Sequence, residues 1–143
     1  MRARPLIALS IAVGVAGCMG VGTNNVHTSN TGSLTTTGGV APVNISQTDA
    51  LTFNPNTVQA APGQQIVFSN VSTMLHSATG DATGGPNSDS QFPSGMPPSA
   101  SYTFTVPANA TAGSKIFFHC RFHGAPGNGT TKGLGMAGEI DVQ

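Results

Sequence analysis

Towards the C-terminal end of the sequence, His119-Cys120-Arg121-Phe122-His123 runs on to Gly135-Met136-Ala137-Gly138, and His76 lies 44 residues before Cys120. One thiolate, two imidazoles and one thioether form the donor set of a blue-copper centre. There, two nitrogens and a sulfur make a trigonal plane and a second sulfur sits far off on the axis. Such a centre exchanges single electrons. Cys120 and His123 can come from one strand end and the loop after it. His76 must come from a segment distant in sequence, so the fold itself has to close the site.

Taken singly, each residue has a plainer use. Cys120 could be a small buried hydrophobe, His123 a loop histidine, His76 a hydrogen-bonded core histidine behind Met74-Leu75, and Met136 a core methionine. The ordered set is what assigns His76, Cys120, His123 and Met136 as metal ligands. Met74, Met96 and oxygen ligands compete with Met136 for the axial place, because twelve residues separate it from His123. Zinc prefers more thiolates or carboxylates and takes a thioether poorly. A Cys–His pair can serve as nucleophile and base, but no hydrolase signature surrounds it. The chain has no paired carboxylates, phosphate-cradling glycine loop or nucleophile-elbow serine. The expectation is therefore a protein that is not an enzyme.

The elements that must position these donors are short. From about Val43 onward, small apolar runs alternate with Gly, Pro, Asn and Ser, and no window has a helical period. Strands are expected near Ala50–Phe53, Thr57–Ala60, Gln65–Asn70, Ser101–Val106, Lys115–Cys120 and Gly138–Val142. Several short strands with turn signals between them indicate an all-β, Greek-key sandwich. In Lys115–Cys120, alternation turns Ile116, Phe118 and Cys120 to the core and Lys115, Phe117 and His119 outward. His119 is thus expected at the surface. The stretch 79–100 reads as one long Gly/Pro/Ser-rich loop, with Phe92 plugging the core and Met96, Pro97 and Pro98 joining an apolar surface.

Composition narrows the remaining classes. Charged residues make up 7% of the 143, well below the usual quarter. Arg2 and Arg4 precede an apolar run, Leu6 to Ala16, which is too short to span a bilayer and has the form of an export signal. It ends in Val15-Ala16-Gly17-Cys18, which resembles a bacterial lipobox. The expected organisation is a lipoprotein signal peptide at 1–17, a flexible Gly/Ser/Thr/Asn-rich tether at 18–42 with Cys18 lipidated, and a β domain at 43–143. His27 in the tether reads as a solvated histidine. A disulfide between Cys18 and Cys120 is not expected. Without the leader the chain carries three basic and five acidic residues, a net charge of −2, which supplies no patch for nucleic acid.

Further residues carry a resemblance to a family. Phe53-Asn54-Pro55 with Val58, Pro62-Gly63, Ile66-Val67-Phe68-Ser69-Asn70 six residues before His76, Phe92-Pro93-Ser94-Gly95 and Ser101-Tyr102-Thr103-Phe104 together resemble the cupredoxins. The likeness is to the small plastocyanin-like and amicyanin-like members, and it covers about residues 45–143. Gly135-Met136-Ala137-Gly138-Glu139-Ile140-Asp141-Val142 resembles their axial methionine and closing strand. The resemblance implies one copper cycling between Cu(I) and Cu(II), one-electron transfer, and an exposed edge of His123 as the electron port. It also implies that the Asn70 side chain ties the strand before His76 to the loop carrying Cys120. The expected partners are transient redox proteins and, through the lipid, a membrane. The expected state is a monomer in the bacterial periplasm or on the cell surface. A periplasmic copper carrier or sequestering protein is the alternative. A multicopper enzyme lacks histidines here, with only four in the chain.

Overall fold

The computed structural model describes residues 39–143. The expected signal peptide, Cys18, His27 and most of the tether lie outside the described residues. The described residues form an all-β sandwich. In chain order the strands are β1 Val43–Gln47, β2 Phe53–Asn54, β3 Thr57–Ala60, β4 Gln65–Asn70, β5 Thr79–Gly80, β6 Ser101–Thr105, β7 Lys115–Ala125 and β8 Leu134–Val142. A single 3₁₀ turn, Ser88–Ser90, is the helical element among the described residues. No helix among them is long and apolar enough to cross a membrane.

One sheet has the order β2-β1-β4-β6 and the other β3-β8-β7-β5. Both are mixed, because β1 runs parallel to β4 and β3 parallel to β8. Alternation drives the packing where one face meets solvent. In β4, Ile66, Phe68 and Asn70 are buried and Gln65 is exposed, as a period of two requires. The core between the sheets centres on Phe53, Phe68 and Phe118, whose rings meet edge-on at centroid distances of 4.9, 5.1 and 6.0 Å. Such pairs add about 0.5–1.5 kcal/mol each beyond the burial of their area.

Four expectations need correction. Ala50–Phe53 is not a strand: the chain turns there, with the Leu51 N–H on the Thr48 carbonyl and Leu51 at φ 56°, and pairing starts only at Phe53. The loop at 79–100 contains strand β5, which pairs with β7. Met96 is fully buried and joins the core instead of an apolar surface. His119 is not a surface residue. It is 9% exposed and Phe117 is 7% exposed, and the carboxylate of Asp81, the residue after β5, lies 2.6 Å from His119 Nδ1.

Candidate metal centre

Strand β7 carries two of the donors, and its irregularity is what presents them. Its pairing with β8 runs in register from Lys115↔Asp141 to His119↔Ala137. It resumes at Gly124↔Gly135, and the register shifts between. Cys120 to His123 form that bulge. A bulge of this kind bends the strand and re-aims side chains, here turning both Cys120 and His123 inward. Gly124 lets the ribbon close again: a Cβ there would run into the Met136 carbonyl and lie 3.1 Å from the Leu134 oxygen. His76 comes from the turn after β4, held by a two-way bridge in which the backbones of His76 and Met96 exchange N–H···O bonds at 3.2 and 2.7 Å.

These elements bring three of the four expected ligands together. His76 Nδ1 lies 3.7 Å from Cys120 Sγ, Cys120 Sγ 3.5 Å from His123 Nδ1, and the two Nδ1 atoms are 3.2 Å apart. The group could hold a metal ion. The three edges define a circle of radius about 2.0 Å. That is the length of a metal–imidazole bond, roughly 2.0–2.1 Å, and a little short of a metal–thiolate bond at about 2.3 Å. Cys120 is a buried free thiol, His76 is fully buried and His123 half-buried. The donor set, one soft sulfur and two imidazoles without a carboxylate, suits copper.

Met136 lies on β8 between Gly135 and Ala137, the partners of Gly124 and His119, so it stands across from the bulge. Its side chain is 1% exposed in the core cluster that also contains Cys120 and Met96. Met74 is 36% exposed in the turn before His76.

The groups around the donors fix their chemistry. His76 Nε2 is 2.8 Å from Ser72 Oγ. That hydroxyl accepts the Met74 N–H at 3.0 Å and donates to the Met74 carbonyl at 3.2 Å. Ser72 Oγ can accept from an Nε2–H, the tautomer that leaves the Nδ1 lone pair of His76 free for a metal. Burial, and after it the neighbouring His123, pushes the His76 pKa below the ordinary imidazole value, with a weak opposite pull from Asp49. The unfolded chain therefore takes up this proton first. The contribution of His76 to the stability of the metal-free fold is complete above about pH 6.5 and is lost as pH falls below.

Asn70 does not make the link expected of it. Its Nδ2 donates to the carbonyls of Met74 and Met96 at 2.8 and 2.9 Å, and its Oδ1 accepts the Ser72 N–H. It braces the His76 turn. The tie to the Cys120 segment comes from Ser77. Its N–H points at Cys120 Sγ from 3.4 Å, and its hydroxyl accepts the Arg121 N–H at 3.0 Å. Gln47, fully buried on β1, donates to the Ser77 carbonyl at 3.0 Å. Sequence reasoning missed Ser72, Ser77 and Gln47. The one signal available was the adjacency of Ser77 to a candidate ligand.

Replacing Ser72 with Ala should leave a buried Nε2–H without an acceptor, at a cost of about 1–3 kcal/mol in the metal-free protein. Copper affinity should fall by about 10–100-fold, read by competition against a chelator of known affinity.

Among solved structures the chain is similar to several amicyanin variants. A reduced Cu(I) form at pH 4 is 16% identical, with a TM-score of 0.49 over 73% of this chain and 84% of that one. The Cu(I) form of a second variant is 14% identical, with a TM-score of 0.49 over 73% of this chain and 86% of that one. The oxidized state of a third is 16% identical at the same TM-score and coverage. No protein-family model matches the chain. No curated protein matches it.

Proposed function

We propose that this chain is a one-electron carrier built on a mononuclear type 1 copper centre. The observation that carries the reading is the triangle of His76 Nδ1, Cys120 Sγ and His123 Nδ1, with edges of 3.2 to 3.7 Å, at the meeting of β7 and the His76 turn. A bound copper would supply the one-electron couple. The chain contributes a pre-shaped site: Ser72 sets the tautomer of His76, Ser77 offers an N–H to the thiolate, and the core beneath Cys120 excludes water. Rigid donors change little between oxidation states, which keeps the reorganisation on electron transfer small. Met136, buried opposite the bulge, would be the fourth and weakest donor. The half-buried ring of His123 is the port to transient redox partners, with Gly124, Ala125 and Pro126 leaving close access beside it.

The wider setting belongs to the same proposal. The segment Val15-Ala16-Gly17-Cys18 supports lipidation at Cys18 and anchoring of an exported domain in the periplasm or at the cell surface. The test is copper loading of the purified protein. Expected are one copper per chain, an intense visible band, bleaching on reduction, and recovery of the band through repeated cycles with the metal retained. Release of copper on the first reduction would instead mark a copper carrier. Absence of the band with copper bound would overturn the type 1 assignment.

A further inference from the structure

The ligand-bearing bulge has a second fastening that the metal-centre reading does not use. Asp81 follows β5 directly, and its side chain is only 2% exposed. Its backbone N–H donates to the Phe117 carbonyl at 3.0 Å, which continues the β5–β7 pairing by one step. One carboxylate oxygen accepts from His119 Nδ1 at 2.6 Å, and the other accepts the Gly127 N–H, also at 2.6 Å. His119 immediately precedes Cys120, and Gly127 follows His123 by four residues. A single buried carboxylate thus grips the chain on either side of the segment Cys120–His123.

The segment beyond β7 makes that grip matter. Residues 126–133 connect β7 to β8, and their own order is local. Asn128 Oδ1 accepts the Thr130 and Thr131 N–H groups at 3.0 and 2.9 Å and both threonine hydroxyls. The turn is therefore a small pre-folded block. Among the described residues, the Gly127–Asp81 bond is the one hydrogen bond recorded from this block to anything outside the β7–β8 ribbon. Without it the block would be held only by the ribbon that carries His123 and Met136, and its motion would pass directly into both.

We infer that Asp81 is a positioning residue for the metal centre: its two carboxylate oxygens clasp His119 and Gly127 and so hold the Cys120–His123 bulge and the 126–133 loop in one fixed arrangement. The inference rests on the copper reading for its spectroscopic consequence, but not for its structural one. Hydrogen bonds to a carboxylate are about twice as strong as neutral ones, and the pair is shielded from water.

The test uses the full chain with Asp81→Ala, with Asp81→Asn as the nearly isosteric variant, and with Lys115→Met as a control that removes an exposed ion pair with Asp141. In the metal-free protein, NMR should show Gly127 amide exchange at least about tenfold faster in Asp81→Ala, the loss expected for a charge-assisted bond. The His123 ring signals should shift with it. Asp81→Asn keeps a carbonyl for Gly127 and should restore most of that protection, and Lys115→Met should change neither signal. In the copper-loaded protein, Asp81→Ala should move the visible band and the reduction potential, while Asp81→Asn and Lys115→Met stay near wild type. Should the Ala variant not fold, Asp81→Ser, whose hydroxyl is too short to span both partners, is read the same way. Unchanged Gly127 exchange in the truncated variant would overturn the clasp. So would a freed Gly127 with unmoved His123 signals and an unmoved band. If wild-type protein takes up no copper, the functional reading falls, and the Gly127 and His123 signals still decide the role of Asp81.

Discussion

Cys120→Ser is expected to abolish the intense visible band of the copper-loaded protein while leaving the sandwich folded. The band requires a thiolate bonded to the metal, and a serine hydroxyl at the same place offers neither the soft donor nor the charge transfer. The change removes one atom type at a fully buried position, so packing is nearly conserved. The Ser77 N–H keeps an acceptor in the new oxygen. Circular dichroism and the thermal midpoint should stay near wild type, and any residual copper should bind weakly through His76 and His123 with pale colour. Retention of the same intense band in the serine variant would show that the thiolate of Cys120 is not the source of colour.

The second large effect is on the fold. Phe118 is fully buried and stands at the centre of the aromatic cluster, 4.9 Å from Phe53 and 5.1 Å from Phe68. It pairs with Gly138 across β7 and β8. A Cβ on Gly138 would collide with the Phe118 ring, so the glycine is the recess in which the ring sits. Phe118→Ala should cost about 3–5 kcal/mol, from lost transfer energy and a cavity that the two sheets cannot close. For a domain of this size that is a large share of total stability. Urea denaturation checks it: the midpoint should fall sharply with the slope unchanged. Because Phe118 is two residues from Cys120 on the same face of β7, copper affinity should weaken with the fold. A loss below about 1 kcal/mol would mean that the core repacks around the gap.

How much of this could be read from residue types follows from which surfaces meet water. Strands β3, β4 and β6 have one solvent face, so alternation marks them, and their positions agree with expectation to within a residue. Strand β1 hides its register because Gln47 is a polar residue at a buried position. Strand β5 consists of Thr79 and Gly80 and carries no apolar signal. Strand β7 runs five residues beyond the expected end, since the bulge at Cys120–His123 breaks the very alternation used to find strands. His119 was misplaced for a related reason: alternation says which residues share a face, not whether that face is covered.

The donors themselves were legible, because thiolate and imidazole at this spacing have few other uses. Their supports were not. Serine in a turn is among the commonest of residues, and nothing local separates Ser72 and Ser77 from the serines around them. Asp81 looks like one loop acid among several until the fold brings His119 and Gly127 to its two oxygens.

The parallel pairings and the position of β8 also set an order of events. All three triangle donors precede Leu134, yet β8 joins β3 to β7 and so completes the sheet that holds two of them. A growing chain that has reached residue 133 already holds every donor of the triangle but lacks the strand that stands across from the bulge. Joining β3 to β8 closes a span of more than seventy residues, a contact that forms late because of its entropy. On a loose peptide a thiol and two imidazoles could each meet an ion separately; held 3.2 to 3.7 Å apart they offer it one site of fixed size.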